Sequence, residues 1–274
     1  MERAGEHRVM PGPLAPRWLA HDVGRPRAGV PGSARLRLEN AGTATWRSRG
    51  REGVQLAYHW LDTLGNPIVW DGLRTALPRP VAPGETLELE ATVVAPRPPG
   101  RYRLAFDLVE EHRFWFAEVG CATLEVPVEV SPRIAERRLS VVVHGATDAE
   151  TDAALRAQAE PLVADGPVAV AHLVPGALPP PDWSARLLDA HAEGFAAVGG
   201  AIAAEERGLR RQLAAWAPGG GRSPAFAEPL LLPSLVVPLE PSRHAGLPAF
   251  AGDDGLFDGR IVVRLRPRSG RPRG

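Results

Sequence analysis

Seven side chains between Trp46 and Arg74 are of the types that hold a sugar ring: Trp46, His59, Trp60, Asp62, Trp70, Asp71 and Arg74. An indole face stacks on the apolar face of a pyranose, while a carboxylate or guanidinium bonds its hydroxyls. The competing role for the tryptophans is core or edge cover in a sandwich. Other chemistries find less support. Gly219 to Gly221 with Arg222 and Ser223 follows an expected helix and lacks the lysine of a phosphate-binding loop, so it reads as a loop. No Gly-x-Ser-x-Gly elbow occurs. The eight histidines are dispersed, with His144, His172 and His191 at expected element ends, and no metal site is expected. Cys121, the single cysteine, can form neither an internal disulfide nor a metal cluster.

The whole-chain numbers narrow the partners. A net charge of +0 and a pI near 7.1 give no long-range field toward nucleic acid or an acidic membrane surface. Met1 to Arg17 has no apolar core of the kind a secretory signal needs. The longest apolar stretch, Leu230 to Leu239, is broken by Pro233 and Pro238 and falls short of the roughly 20 residues of a membrane span. The expectation is a soluble, cytoplasmic protein. At 274 residues the chain suits two modest domains.

The elements that must position the aromatic set are strands. Five runs alternate with period two: Ala34, Leu36 and Leu38; Val54, Leu56, Tyr58 and Trp60; Leu87, Leu89, Ala91 and Val93; Tyr102, Leu104, Phe106 and Leu108; Leu124, Val126, Val128 and Val130. Asn40-Ala41-Gly42, Leu64-Gly65-Asn66-Pro67, Ala82-Pro83-Gly84 and Pro98-Pro99-Gly100 separate them as turns. The pattern predicts an all-β immunoglobulin-like sandwich over residues 16–131, after a flexible stretch 1–15. Tyr102, at the head of a strand after a turn, sits where a tyrosine corner would be.

A linker, 132–138, precedes a different grammar. Leu139 to Val143 reads as a buried strand, and Thr147-Asp-Ala-Glu150 as a capping box opening a helix to about Ala164. Val168 to Val174 is a second strand, so a βαβ unit is predicted. Trp183, Leu187, Leu188 and His191 fall at helical spacing before Gly194; a strand covers Phe195 to Val198; Leu209, Leu213 and Trp216 mark a third helix; and Gly259 to Leu265 reads as a strand or short helix.

Two families are resembled on these residues. Asn40 to Trp46, Tyr58-His-Trp60 with Asp62, Asp71-Gly72 with Arg74-Thr75, Pro83-Gly84-Glu85 and Pro99-Gly100-Arg-Tyr102 resemble the Ig-like domains attached to bacterial cell-surface polysaccharide enzymes. Those domains imply carbohydrate binding or a spacer role. Leu139 to Val143, Leu173 to Trp183, Ala197 to Gly200, and Phe257-Asp258 with Arg264-Leu265-Arg266 are similar to family 2 glycosyltransferases of the GT-A fold. The resemblance implies a reduced, Rossmann-like α/β domain over 139–270, with 271–274 as a tail.

The second resemblance also marks what is missing. Its members carry an Asp-x-Asp motif that holds a divalent ion against the donor diphosphate, and this chain has Val174-Pro175-Gly176 there. Asp258 is the residue the resemblance offers as catalytic base, with Arg260 where a second acid is usual. Asp253-Asp254-Gly255 reads as a solvated turn. The resulting expectation is a glycosyltransferase-like protein of polysaccharide biosynthesis, non-catalytic or strongly reduced, without cofactor, binding a glycan, a nucleotide sugar or a polysaccharide-assembly enzyme. The alternatives are a metal-independent inverting transferase that uses arginines such as Arg222 or Arg264, and a structural adaptor with an Ig-like spacer.

Overall fold

The period-two runs do form strands, and their alternation decides which side chains meet. The computed structural model describes residues 13–143, 145–173, 176–204, 212–213, 235–238 and 255–265. The chain divides into two compact units, Met1–Ser131 and Pro132–Gly274.

In the first unit the strands are β1 (Pro16–Asp22), β2 (Pro31–Asn40), β3 (Ser48–Arg49), β4 (Glu52–Leu61), β5 (Pro67–Val69), β6 (Thr75–Ala76), β7 (Thr86–Val94), β8 (Gly100–Glu110), β9 (Phe114–Trp115) and β10 (Leu124–Val130). One sheet has the order β1-β2-β7 and the other β10-β8-β4-β3, with β5 and β6 on β4 and β9 on β8. All these pairings are antiparallel. Placing strands one, two and seven on one sheet and four, eight and ten on the other is the division of an immunoglobulin-like sandwich. The inward residues of both sheets form one core that includes Leu36, Leu38, Leu56, Trp60, Leu89, Leu104, Phe106 and Val128.

Specific polar bonds fix how the sheets close. Tyr58 and Trp60, both inward on β4, grip one peptide of β7: the Val94 amide donates to the Tyr58 hydroxyl at 3.0 Å, and Trp60 Nε1 donates to the Val94 carbonyl at 2.9 Å. Tyr102 Oη donates to the Pro98 carbonyl at 2.6 Å, the tyrosine corner that the turn-then-strand order predicts. Asn40 is fully buried; its Nδ2 donates to the carbonyls of Ala44 and Val81, each at 2.8 Å, and its Oδ1 accepts from Gly42 N. That side chain organises the turn leading to Trp46. Gly42 is required there, because a Cβ would lie 2.5 Å from the Pro13 carbonyl oxygen.

The second unit contains β11 (Leu139–Val143), α1 (Ala149–Arg156), β12 (Ala169–Leu173), β13 (Ala177–Leu178), α2 (Trp183–Ala192), β14 (Ala197–Ala204), β15 (Gln212–Leu213), β16 (Leu235–Pro238) and β17 (Gly255–Leu265). β11 and β12 are parallel with α1 between them, as the βαβ pattern predicts. The Rossmann-like expectation fails beyond that. The sheet order is β11-β12-β16-β14-β17-β13 with β15 on β14; β16 runs antiparallel to both its neighbours, and the described residues hold two helices against seven strands.

Three local expectations are corrected. Asp148, not Thr147, caps α1, accepting from Glu150 N and Thr151 N. The helix stops at Arg156 rather than near Ala164: the amides of Ala159 and Glu160 turn to the Pro181 carbonyl at 2.7 Å and to Ser184 Oγ at 3.1 Å, and Pro161, which lacks an amide hydrogen and disfavours helical backbone at the residue before it, rules out any longer helix. The chain after it extends, with Val163 N bonded to the Leu139 carbonyl at 2.9 Å. Leu213, expected on a third helix, lies in a strand opposite Ile202; Leu209, Trp216 and the glycine-rich loop lie outside the described residues. α2 is where the spacing predicts it, with Trp183, Leu187, Leu188 and His191 buried and Gly194 ending it at φ 117°.

Replacing Tyr58 by Phe tests the grip on β7. It leaves the Val94 amide without its partner while keeping ring volume, and should cost about 1–3 kcal/mol of unfolding free energy. A urea transition unchanged from wild type would contradict that role.

Candidate functional site

Because Tyr58 and Trp60 point into the sandwich, strand geometry sends His59, between them, to the opposite face of β4. That face is covered as well. The His59 ring stacks on Trp70 at 4.2 Å with an interplanar angle of 24°, and meets the edge of Trp115 at 4.5 Å. Trp70 and Trp115 are themselves 6.1 Å apart at 67°. His59 Nδ1 donates to the Trp70 carbonyl, which fixes the tautomer with Nε2 unprotonated in the neutral ring. Burial holds the imidazole below its ordinary pKa, against the Trp70 bond that favours the proton; Arg74 adds to the depression and Asp71 opposes it.

Arg74 completes the patch. Its guanidinium lies 4.7 Å from the centre of the Trp115 ring. Nε pairs with Glu111, Nη2 with Asp71 Oδ1 at 2.6 Å, and Nη1 donates to the Gly72 carbonyl at 2.9 Å. Gly72 packs on Tyr58 so closely that a Cβ would lie 2.5 Å from the Tyr58 carbonyl oxygen. The loop after β5 is therefore pinned from both sides while Trp70 stays 53% exposed. Four of the exposed large apolar side chains fall between β4 and β6: Leu64, Ile68, Trp70 and Leu73.

The residues singled out in the sequence separate into three groups. His59, Trp70, Asp71 and Arg74 come together in this patch. Trp46 and Trp60 do not: both are fully buried, Trp46 edge-on to Phe116 at 6.0 Å and Trp60 edge-on to Tyr102 at 6.2 Å, so neither presents a face to a glycan. Asp62 serves its own turn, accepting from Leu64 N, Asn66 N and Asn66 Nδ2, each at 2.8 Å. Trp115 and Glu111 were not singled out. Trp115 is distant from Trp70 in sequence, and only the pairing of β9 with β8, β8 with β4, and β4 with β5 joins them.

Beneath the same end of the sandwich lies a fully buried carboxylate. Asp107 sits opposite Ala57 on β8 and accepts from Leu108 N at 2.8 Å and Ala117 N at 3.2 Å, anchoring the 3-10 turn Phe116–Val119. Desolvation pushes its pKa from 3.8 up to about 6, with the two amides pulling the other way. An open groove of about 790 Å³ flanks this end, bordered by Arg47, Arg49, Glu52, Glu110, His112 and Arg113 among others. Its mixed charges select no ligand class.

In the second unit, Asp258 lies in β17 opposite Gly200, beside a register shift between Gly200 and Ala201 in the pairing with β14. Gly176, with φ 78°, stands directly before β13; Val174 and Pro175 lie outside the described residues, as do Asp253, Asp254 and Arg222. Among the described residues no three of His, Cys, Asp or Glu converge as metal ligands, and no helix is long and apolar enough to cross a membrane.

Comparison with known proteins leaves the family open. No family model matches the chain, and no curated protein sequence does. Among solved structures, a family 123 glycoside hydrolase from Clostridium perfringens, studied for glycolipid glycan hydrolysis, aligns with 9% identity and a TM-score of 0.24 over 48% of this chain and 26% of that one. The chain thus spans about a quarter of that enzyme. The PapD-like domain 7 of human CEP192 aligns with 13% identity and a TM-score of 0.23 over 47% of this chain and 96% of that domain.

The two buried titrating groups have opposite signs. Asp107 binds its proton more tightly when folded, so its contribution to stability is fullest below pH 3.8 and is lost as pH rises through about 6. His59 binds its proton less tightly when folded, so its contribution is present above 6.5 and is lost as pH falls. A carbon-13 titration of the Asp107 carboxyl should have its midpoint near 6, and Asp107→Asn should remove that segment of the stability profile. A midpoint at or below 4 would refute the assignment.

Proposed function

We propose that this chain is a non-catalytic glycan-binding protein of the cell-surface polysaccharide class its sequence resembles, and that the sandwich patch around Trp70 is its binding face. One observation carries the reading: a half-exposed indole is held rigid by a ring stack and a main-chain bond to His59, with Asp71 and Arg74 at its edge. A platform fixed before the ligand arrives loses little entropy on binding. Ile68, two residues before Trp70, is exposed on the side of the strand opposite Val69, which packs on the core. It extends the apolar surface for a further sugar unit.

The non-catalytic half of the reading rests on the second unit. A transferase of the resembled kind needs a counter-charge for the donor diphosphate, and Val174, Pro175 and Gly176 supply no carboxylate at that position. Asp258 alone would leave a base with no donor to work on.

Trp70→Ala is the direct test. Titrated calorimetrically against a panel of bacterial surface polysaccharides and their oligosaccharides, the wild-type chain should bind at least one. The variant should lose about tenfold or more in affinity. Its unfolding free energy should stay within about 1 kcal/mol of wild type, since the ring is half exposed. Equal binding by the variant, or no binding of any glycan by wild type, would overturn the proposal.

A further inference from the structure

Resting on the glycan reading of this patch, we infer that the site takes uncharged glycans and discriminates against acidic ones, and that Asp71 and Glu111 impose the choice. Arginine grips a ligand carboxylate best through two parallel N–H groups on one edge of its fork. On Arg74 that edge is already filled, Nε by Glu111 and Nη2 by Asp71, while Nη1 is turned to the Gly72 carbonyl and one face is covered by Trp115. A uronic acid would therefore have to displace a carboxylate tethered to the same loop.

The charge count points the same way. Two carboxylates surround one guanidinium, and the His59 imidazole is uncharged at neutral pH, so the patch carries a net negative charge. Glu111 is 12% exposed and weakly screened, so its field reaches a bound ligand. Asp71 is 69% exposed, which leaves its carboxylate open to sugar hydroxyl donors. Hydroxyls gain from such an acceptor, whereas an anion is repelled by it.

The experiment uses the full chain with paired probes of equal length: neutral hexasaccharides of glucose, mannose and galactose, and oligouronates of the corresponding sugars. At low ionic strength the best neutral probe should bind at least about tenfold tighter than any uronate, and added salt should narrow the gap by screening. Asp71→Asn, a change at an exposed position, should raise uronate affinity about fivefold or more and weaken the neutral probe, which loses a charged acceptor for its hydroxyls, so that the gap narrows from both sides. Uronates binding wild type as tightly as neutral sugars, or a gap insensitive to both salt and Asp71→Asn, would overturn the inference and leave the glycan reading standing. Failure of both probe sets, together with no binding of any polysaccharide in the wider panel, would overturn the glycan reading, and the inference with it.

Discussion

The grip of Tyr58 and Trp60 on the Val94 peptide is the constraint from which the rest of the sandwich follows. It joins β4 of one sheet to β7 of the other through both polar groups of a single residue. Once those two rings are committed inward, pleating leaves His59 no choice of side. His59 then becomes the floor on which Trp70 and Trp115 are laid, and Trp70's backbone carbonyl is tied to it. The exposed indole is thus two contacts removed from the core, which is why a surface loop can present it in one orientation.

Ionisable groups are held there under different terms. Arg74 is charge-compensated twice and stacked, so its partial burial costs little. Among the described residues, Asp107 has no cation paired with it. Its two amide donors satisfy hydrogen-bonding capacity without cancelling charge, and its raised pKa records the difference. What the carboxylate contributes is a fixed acceptor for Ala117 N, which holds the turn following Trp115. Position of the aromatic lid is gained at some expense in neutral-pH stability.

The sandwich was legible in the sequence because strand alternation is a local signal that one buried face imposes residue by residue. The same signal placed the tyrosine corner, since a Pro-Gly turn followed by Tyr102 is contiguous. The site was half legible. His59, Trp70, Asp71 and Arg74 lie close in sequence, but Trp46 and Trp60 have the same side-chain chemistry and went to the core. Composition cannot separate them; for Trp60, which lies within a strand, parity can. Trp60 shares the parity of Leu56 and Tyr58, whereas His59 does not. Trp115 and Glu111 were out of reach because three strand pairings intervene. In the second unit, Pro161 already signalled the early end of α1, and the antiparallel insertion of β16 has no local signature, since an apolar run such as Leu235 to Pro238 reads alike in either direction.

That last point bears on the glycosyltransferase resemblance. Short apolar blocks in a familiar order are what any buried sheet produces, and order alone does not fix strand direction. A nucleotide site in an open α/β sheet depends on direction, because it forms outside the carboxyl ends of parallel strands. Here β16 runs antiparallel between β12 and β14, which separates the parallel pair β11 and β12 from the parallel pair β14 and β17. The carboxyl ends of β12 and β14 thus have a strand of opposite sense between them. This topology departs from the parallel-sheet expectation independently of which residues stand at 174 to 176. In the sandwich, by contrast, long-range pairing brings a half-exposed indole beside a charge-compensated arginine.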